Sequence, residues 1–374
     1  MVYLLWCAIH DRQPDAGVLD GTDGNTLLKM CIAHKVVAFI NKAVRCVDDS
    51  VFSASLKEQF SKEEMKALRV SILFEAEKEK VFAGLEENKI WYLPLKGCIV
   101  RDYYPEPNLR QMGDIDVLIG EEDAEKIRVM MTKLGYKCKS FGIIHHDEYY
   151  KAPFYNYEMH RALFMDTDER WVNYYSNVRE KLVLKNGKAY EYVFTKEDFY
   201  LYFFMHAFKH FTGSGTGIRT LVDLYLYMSQ CDLDFAYIEQ ETDKLGTKQE
   251  EKRFRELTMK VFSPESGGLD MTLTNEEDET LYLLLVASVY GGMSLRVRSN
   301  MQKAMKGKKG KNSKFRYVIR RVFQVPERYS RMYPRLYKHS LTRPLLVFVR
   351  FSHGLNGQKL KTLRKEWSIL KKMK

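Results

Sequence analysis

Apolar residues recur at helical spacing over residues 1–90 and again from residue 196 onward, and the stretch between reads as short alternating runs. From Thr26 to Val47, the positions Leu27, Leu28, Ile32, Val36, Val37, Ile40 and Val44 predict one helix. His34 falls inside that pattern and reads as a satisfied core or surface histidine. Ser61 and Glu64 precede Met65, Leu68, Ile72 and Phe74 with capping-box spacing, which predicts a helix start at Ser61. That helix continues past Phe82 and Leu85 and closes at Asn88. Trp91 to Leu95 predicts a strand that breaks at Lys96-Gly97. Ile115, Val117 and Ile119 occupy alternate positions of a strand over 114–119. Glu121-Glu122-Asp123 opens a helix through Leu134, with its negative charge at the end the peptide dipoles make positive, and Gly135 stops it. Further strands are predicted at 136–140 and 146–151 and along Phe154 to Leu163. Thr195 and Asp198 cap a strongly apolar helix carrying Phe199, Leu201, Phe203, Phe204 and Phe208. Ile218 to Leu224 begins another helix, 276–290 is one more, and Pro326, Pro334 and Pro344 separate short helical pieces in the tail.

This pattern predicts an α/β (α+β) architecture. A small mixed-sheet core over 91–195 would be flanked by a helical region at 1–90 and a second at 196–374. A basic linker near 303–316 would interrupt the latter.

On the predicted strand, Asp114 and Asp116 project from one face while Ile115, Val117 and Ile119 enter the core. Two carboxylates on one strand suit a hard cation, Mg²⁺ or Mn²⁺, held together with substrate phosphates. The alternative is a turn at Gly113-Asp114 followed by a solvated Asp116. Glu158 and His160 likewise share one face of a later strand. A third carboxylate there would hold a cation or accept a proton from an attacking hydroxyl. Asp166 and Asp168 lack apolar alternation around them and read as a turn or helix entry. His145-His146-Asp147 carries metal-ligand residue types but reads better as a loop between strands. His206 and His210 stand at i, i+4, a metal-ligand spacing, but the glutamate of a zinc peptidase motif is missing. Gly213 to Gly217 is a flexible loop able to turn backbone N–H groups toward phosphate, without the Lys-Ser/Thr ending of a P-loop. Arg219 and Asp223 are open to two readings: a phosphate grip with its orienting carboxylate, or an ordinary i, i+4 helix pair.

Charge adds a preference for polyanions, because 60 Lys+Arg stand against 49 Asp+Glu, a formal net charge of +11. The densest basic run, Lys303 to Arg321, would act as a solvated linker or a nucleic-acid or lipid contact. Six scattered cysteines without a Cys-x-x-Cys argue against a cysteine zinc site and suit reduced thiols. No apolar run reaches membrane-spanning length and Met1 to Ile9 lacks a basic start, so a cytoplasmic protein without a transmembrane segment is expected.

The order Leu95-Lys96-Gly97, Tyr104-Pro105, Arg110, then Asp114-Ile115-Asp116-Val117-Leu118 resembles the uncharacterised bacterial nucleotidyltransferase family of the polymerase-β-like superfamily. The resemblance covers most of the chain, and Glu158 falls on the family's late Glu-x-His. It implies transfer of a nucleoside monophosphate from a nucleoside triphosphate, ATP first among candidates, to a hydroxyl acceptor, with pyrophosphate leaving. Asp114, Asp116 and Glu158 would be the catalytic residues and metal ligands. Lys96, the Gly97 backbone, Arg110 and Arg219 would bind phosphate. His160, His206, His210 and Asp223 would face the substrate. The acceptor would be a small molecule, a protein side chain or an RNA end. Two departures stand out: Lys96-Gly97-Cys98 replaces the usual Gly-Ser or Gly-Gly, and the loop from Gly97 to Asp114 is long. A nucleotide-binding protein of the same fold without turnover, or a basic nucleic-acid-binding protein, are the alternatives.

Overall fold

The computed structural model describes residues 1–165, 167–213, 215–269 and 271–288, with 333–338, 342, 344–354 and 368 beyond them. Asp166, Ser214 and the basic segment 303–321 lie outside the described residues.

Five helices come first: α1 (Val2–His10), α2 (Ala16–Leu19), α3 (Gly24–Ala33), α4 (Val37–Arg45) and α5 (Ala54–Glu87). The single helix expected over Thr26 to Val47 is two. His34 ends α3, and Lys35 takes a positive φ of 57°, which an α-helix does not allow. The helix start expected at Ser61 is also corrected. Ser53 caps α5 by accepting from the Leu56 N–H at 3.4 Å, eight residues earlier, and Ser61 lies in the helix interior. Glu64 does not reach back to a cap. It is buried, where it accepts from Asn41 at 2.7 Å and pairs with Arg45 of α4.

The central part follows the expected order. Strand β1 (Tyr92–Pro94) leads into α6 (Gly97–Val100), then β2 (Ile115–Ile119), α7 (Ala124–Lys133), β3 (Lys137–Ser140), β4 (His146–Lys151) and β5 (Tyr155–His160). They form one mixed five-stranded sheet in the order β1-β2-β5-β4-β3, in which only β2 and β5 run parallel. Alternation decides the two faces. Ile115, Val117 and Ile119 join Tyr149, Tyr157 and Met159 in a core closed by Phe74, Val81, Phe82 and Leu85 of α5 and by Ile127, Met130 and Met131 of α7. Glu77 fastens α5 to the sheet, accepting from Lys151 at 2.5 Å and from the Tyr136 hydroxyl at 3.2 Å.

The chain continues with α8 (Glu169–Tyr174), capped by Asp168 as expected of a helix entry, and a small ribbon of β6 (Val183–Leu184) and β7 (Tyr192–Val193). Then come α9 (Lys196–Gly213), α10 (Arg219–Gln230), α11 (Phe235–Leu245), α12 (Lys248–Phe262) and α13 (Asn275–Val286). The Thr195–Asp198 cap is present in both directions, at 3.1 and 3.0 Å. The N-terminal and C-terminal helices do not form separate cores. Leu4, Val36, Ile40, Phe204, Leu221 and Val261 belong to one apolar cluster, which also takes in Leu93 and Leu118 from the sheet. Trp6 Nε1 donates to the Ser263 carbonyl at 2.8 Å, so α1 is tied to the end of α12. No helix among the described residues is long and apolar enough to cross a membrane.

Candidate active site

The β2/β5 pairing builds the floor of the site. Asp116 stands directly beside Glu158, and Leu118 beside His160. Adjacent residues of paired strands project from the same face, so a two-residue step on each strand assembles Asp116, Glu158 and His160 side by side. One ligand-capable atom of each lies within 4.8 Å of the others. His160 Nε2 contacts Asp116 Oδ1 at 2.8 Å and lies 3.5 Å from Glu158 Oε2. Lys96 Nζ donates to the same Asp116 oxygen at 2.6 Å. Lys96 reaches it from a backbone with φ 48° and ψ −113°, a region that non-glycine residues seldom occupy. Asp114 precedes β2 and opens to the cleft, whereas Asp116 is buried.

The environment drives the two aspartates apart. Loss of surrounding water within the cleft, then Asp116 and Glu158, push the Asp114 carboxyl up to about 7. Burial would also raise Asp116, but Lys96 and His160 outweigh it and hold it ionised far below the usual carboxylate range. Three acidic groups crowded into one cleft, with one of them forced toward its neutral form, make an arrangement that a divalent cation would relieve. Neighbouring carboxylates are also a donor set that Mg²⁺ or Mn²⁺ accepts. The residues present therefore fit such an ion.

The cleft above this floor encloses about 260 Å³, and its other wall is cationic and aromatic: Lys35, Phe203, His206, His210, Arg219 and Thr220 line it. Sequence reasoning missed Lys35. Its placement follows from His34, which is the satisfied core histidine expected: Nδ1 accepts from the Ile218 N–H at 3.3 Å and Nε2 donates to the Leu285 carbonyl at 3.1 Å. That clamp holds the α3–α4 kink against the start of α10 and sets Lys35 close to Arg219. Burial, then Arg219, lowers Lys35; burial, then Arg110, lowers Arg219. Cations that repel one another beside a cleft suit a polyanion. The only signal in the chain was the step in apolar spacing between Ile32 and Val36.

His206 and His210 face each other, Nε2 to Nε2, at 3.1 Å. Burial followed by Lys96 holds His206 well below the ordinary histidine value, and burial followed by Lys209 brings His210 to about 4, so both are neutral at pH 7. In the glycine loop, the Gly215 N–H donates to the His210 carbonyl at 2.9 Å, and Thr216 and Gly217 line the cleft.

Several of the expected site residues also have partners within the protein. Arg110 does not extend freely toward a polyanion: Nε and Nη2 grip Asp223 at 2.9 and 2.8 Å, both residues being buried. Asp223, expected to face substrate, lines the cleft while accepting from Arg110 and from the Tyr104 hydroxyl at 2.7 Å, and its distance to Arg219 is 3.9 Å. Lys96 rests on Asp116 as described. The strand expected at 146–151 is β4, so of His145-His146-Asp147 only His145 precedes it, and His146 and Asp147 stand opposite His160 and Met159 of β5. Gly97 remains at the cleft for a packing reason: a Cβ on it would meet Arg110 Nη1 at 2.6 Å and Met112 Sδ at 3.0 Å. Cys98, buried behind it, has its thiol pushed up to about 12 by burial and is a neutral filler.

Comparison with known families matches residues 20–263 to a family described as uncharacterised nucleotidyltransferase. No curated protein and no solved structure matches the chain significantly.

Proposed function

The chain belongs to this uncharacterised nucleotidyltransferase family, and from that premise we propose that it moves a nucleoside monophosphate from a nucleoside triphosphate to a hydroxyl acceptor. The observation that carries the reading is the parallel register placing Asp116 beside Glu158 under a cationic wall. In the step proposed, the acceptor oxygen forms a bond to the α-phosphorus. The bond from that phosphorus to the bridging oxygen of the β-phosphate breaks, and pyrophosphate leaves with the electron pair. The hydroxyl proton passes to Glu158.

Asp114, Asp116 and Glu158 would hold Mg²⁺ or Mn²⁺. Such an ion, when bound, neutralises phosphate charge and lowers the pKa of the attacking hydroxyl. Lys96 and His160 keep Asp116 ionised and fix its orientation. Lys35 and Arg219 take the negative charge of the triphosphate, and Arg219 is aimed by its hydrogen bond to the Gln111 carbonyl at 2.7 Å. Phe203 and the neutral His206 and His210 offer apolar and hydrogen-bonding surface to the base or the acceptor. ATP is the first nucleotide to try. The acceptor would be a small hydroxylated compound, a protein side chain or an RNA end.

The test is pyrophosphate release with Mg²⁺ and each ribonucleoside triphosphate, in the presence of cell metabolites and small RNAs. Asp116→Asn and Asp114→Asn should each reduce release by at least ~100-fold, the scale of a lost electrostatic contribution to the transition state. Equal release by wild type and Asp116→Asn would remove the site assignment. A second reading has one observation behind it: the Lys96 ammonium already neutralises Asp116 at 2.6 Å. It is nucleotide binding without turnover, and triphosphate-induced stabilisation with no pyrophosphate release would favour it.

A further inference from the structure

Three histidines crowd the side of the floor away from Lys96. His146 is the cross-strand partner of His160, and directly opposed residues of an antiparallel pair share a face. His145 stands one residue earlier, its carbonyl extending the ladder by accepting from the Arg161 N–H at 2.7 Å. Ring centroids lie 4.7 Å apart for His145 and His146, 5.0 Å for His146 and His160, and 5.4 Å for His145 and His160. One ring nitrogen of each lies within 4.8 Å of one from each of the others.

The hydrogen bonds leave this group incomplete. Nδ1 of His160 and Nδ1 of His146 are both buried with no hydrogen-bond partner. His160 is 4% exposed. A buried polar atom left unsatisfied costs about 1–3 kcal/mol, so two in one cluster call for an explanation. His160 Nε2 is only 2.8 Å from a carboxylate oxygen of Asp116, so that contact engages Nε2 and leaves Nδ1 as the unpartnered nitrogen. His146 Nε2 likewise faces carboxylates, Glu148 Oε1 at 3.6 Å and Glu158 Oε2 at 3.7 Å. A carboxylate holding one imidazole N–H while the other nitrogen is kept for a metal is the usual outer support of a metal-bound histidine.

We propose that His145, His146 and His160 form a transition-metal site for a zinc-class divalent ion, separate in ligand chemistry from the carboxylate centre beside it. Imidazoles select zinc-class ions over Mg²⁺, which prefers oxygen. Zn–N bonds of about 2.0–2.1 Å require the three rings to draw inward from their present spacing. Three protein ligands leave a fourth position for water or a substrate oxygen. The inference does not depend on nucleotidyl transfer, because it concerns ion binding alone.

The experiment uses the full chain stripped of metal with a chelator and titrated with Co²⁺, followed by its visible d–d absorption. The expected result is a low-coordinate cobalt spectrum that Zn²⁺ abolishes and a large excess of Mg²⁺ does not. His145→Ala and His146→Ala should each weaken Co²⁺ binding at least ~10-fold, with circular dichroism unchanged, while Asp114→Asn leaves it intact. His145 is only partly buried, so its variant tests the site even if His146→Ala destabilises the strand. Cobalt binding that is unaffected by His145→Ala and lost in Asp114→Asn would overturn the proposal, as would Mg²⁺ competing on equal terms with Zn²⁺. Failure of pyrophosphate release would leave this result untouched.

Discussion

Arg110 and Asp223 form a two-pronged buried pair, Nε to Oδ1 at 2.9 Å and Nη2 to Oδ2 at 2.8 Å, that joins the loop before β2 to the middle of α10. Attraction to Asp223 outweighs burial and holds the guanidinium firmly charged. The pair spans the five-stranded sheet's edge of the cleft and the helical wall, so it ties the two sides together. Removing one member leaves the other charge buried and alone. Asp223→Ala is expected to lower stability by ~3–5 kcal/mol, measured by urea unfolding. Arg110→Lys should recover little of it, since an ammonium cannot supply two parallel donors. A cost below ~1 kcal/mol for Asp223→Ala would show that the pair is solvated in the working protein.

Gly97 lies against the same pair. The nearest atom to an added Cβ is the end of a flexible side chain, but Asp223 pins that side chain in place. Gly97→Ala should therefore cost ~1–3 kcal/mol through overpacking and also weaken triphosphate binding. Thermal melting with and without nucleotide separates the two effects. A variant as stable and as responsive as wild type would mean that Arg110 yields.

Lys35 offers a cleaner separation of binding from folding. Its φ of 57° suits glycine, so Lys35→Gly keeps the α3–α4 kink while deleting a cation from the cleft. Stability should change by less than ~1 kcal/mol. The apparent affinity for nucleoside triphosphate should fall by ~10-fold or more, the scale of one charge-assisted contact. Calorimetric titration of both proteins decides it, and unchanged affinity would remove Lys35 from the phosphate wall.

Glu77 predicts the acid limb of stability. Burial alone would raise its carboxyl, but Lys151 and Lys80 outweigh that and hold it below the ordinary glutamate value of 4.5. A carboxyl depressed in the folded state contributes stability that is full above its unfolded value and lost as pH falls through its folded one. Wild type should therefore lose stability below about pH 5, and Glu77→Gln should flatten that part of the profile while being less stable at pH 7. Parallel unfolding curves from pH 7 to pH 3 for the two proteins would contradict this.

Much of this protein was legible in local pattern. Alternation around Ile115, Val117 and Ile119 predicted both the strand and the inward side of it, because side-chain direction has period two and burial needs no distant information. Thr195 with Asp198, and Gly135 after α7, marked helix ends by chemistry that acts within four residues. The α/β class and the Asp114, Asp116, Glu158 and His160 set followed from the same strand logic together with the family resemblance. What alternation could not supply was partnership. Nothing in the spacing of Asp116 and Glu158 says that their strands lie parallel and in that register. Arg110 looked free for phosphate because Asp223, 113 residues later, is invisible to local pattern. Lys35 drew no reading, because its place follows from His34 meeting Ile218 and Leu285 across the core. A strand was expected at 146–151, but nothing in its spacing placed His146 opposite His160. The sequence by itself determined the central strands and several helix ends and which side chains carry charge, since those depend on neighbours along the chain. Tertiary structure alone decided which charges are spent on each other and which are left to face a ligand, since pairing over long sequence distances depends on how the elements pack.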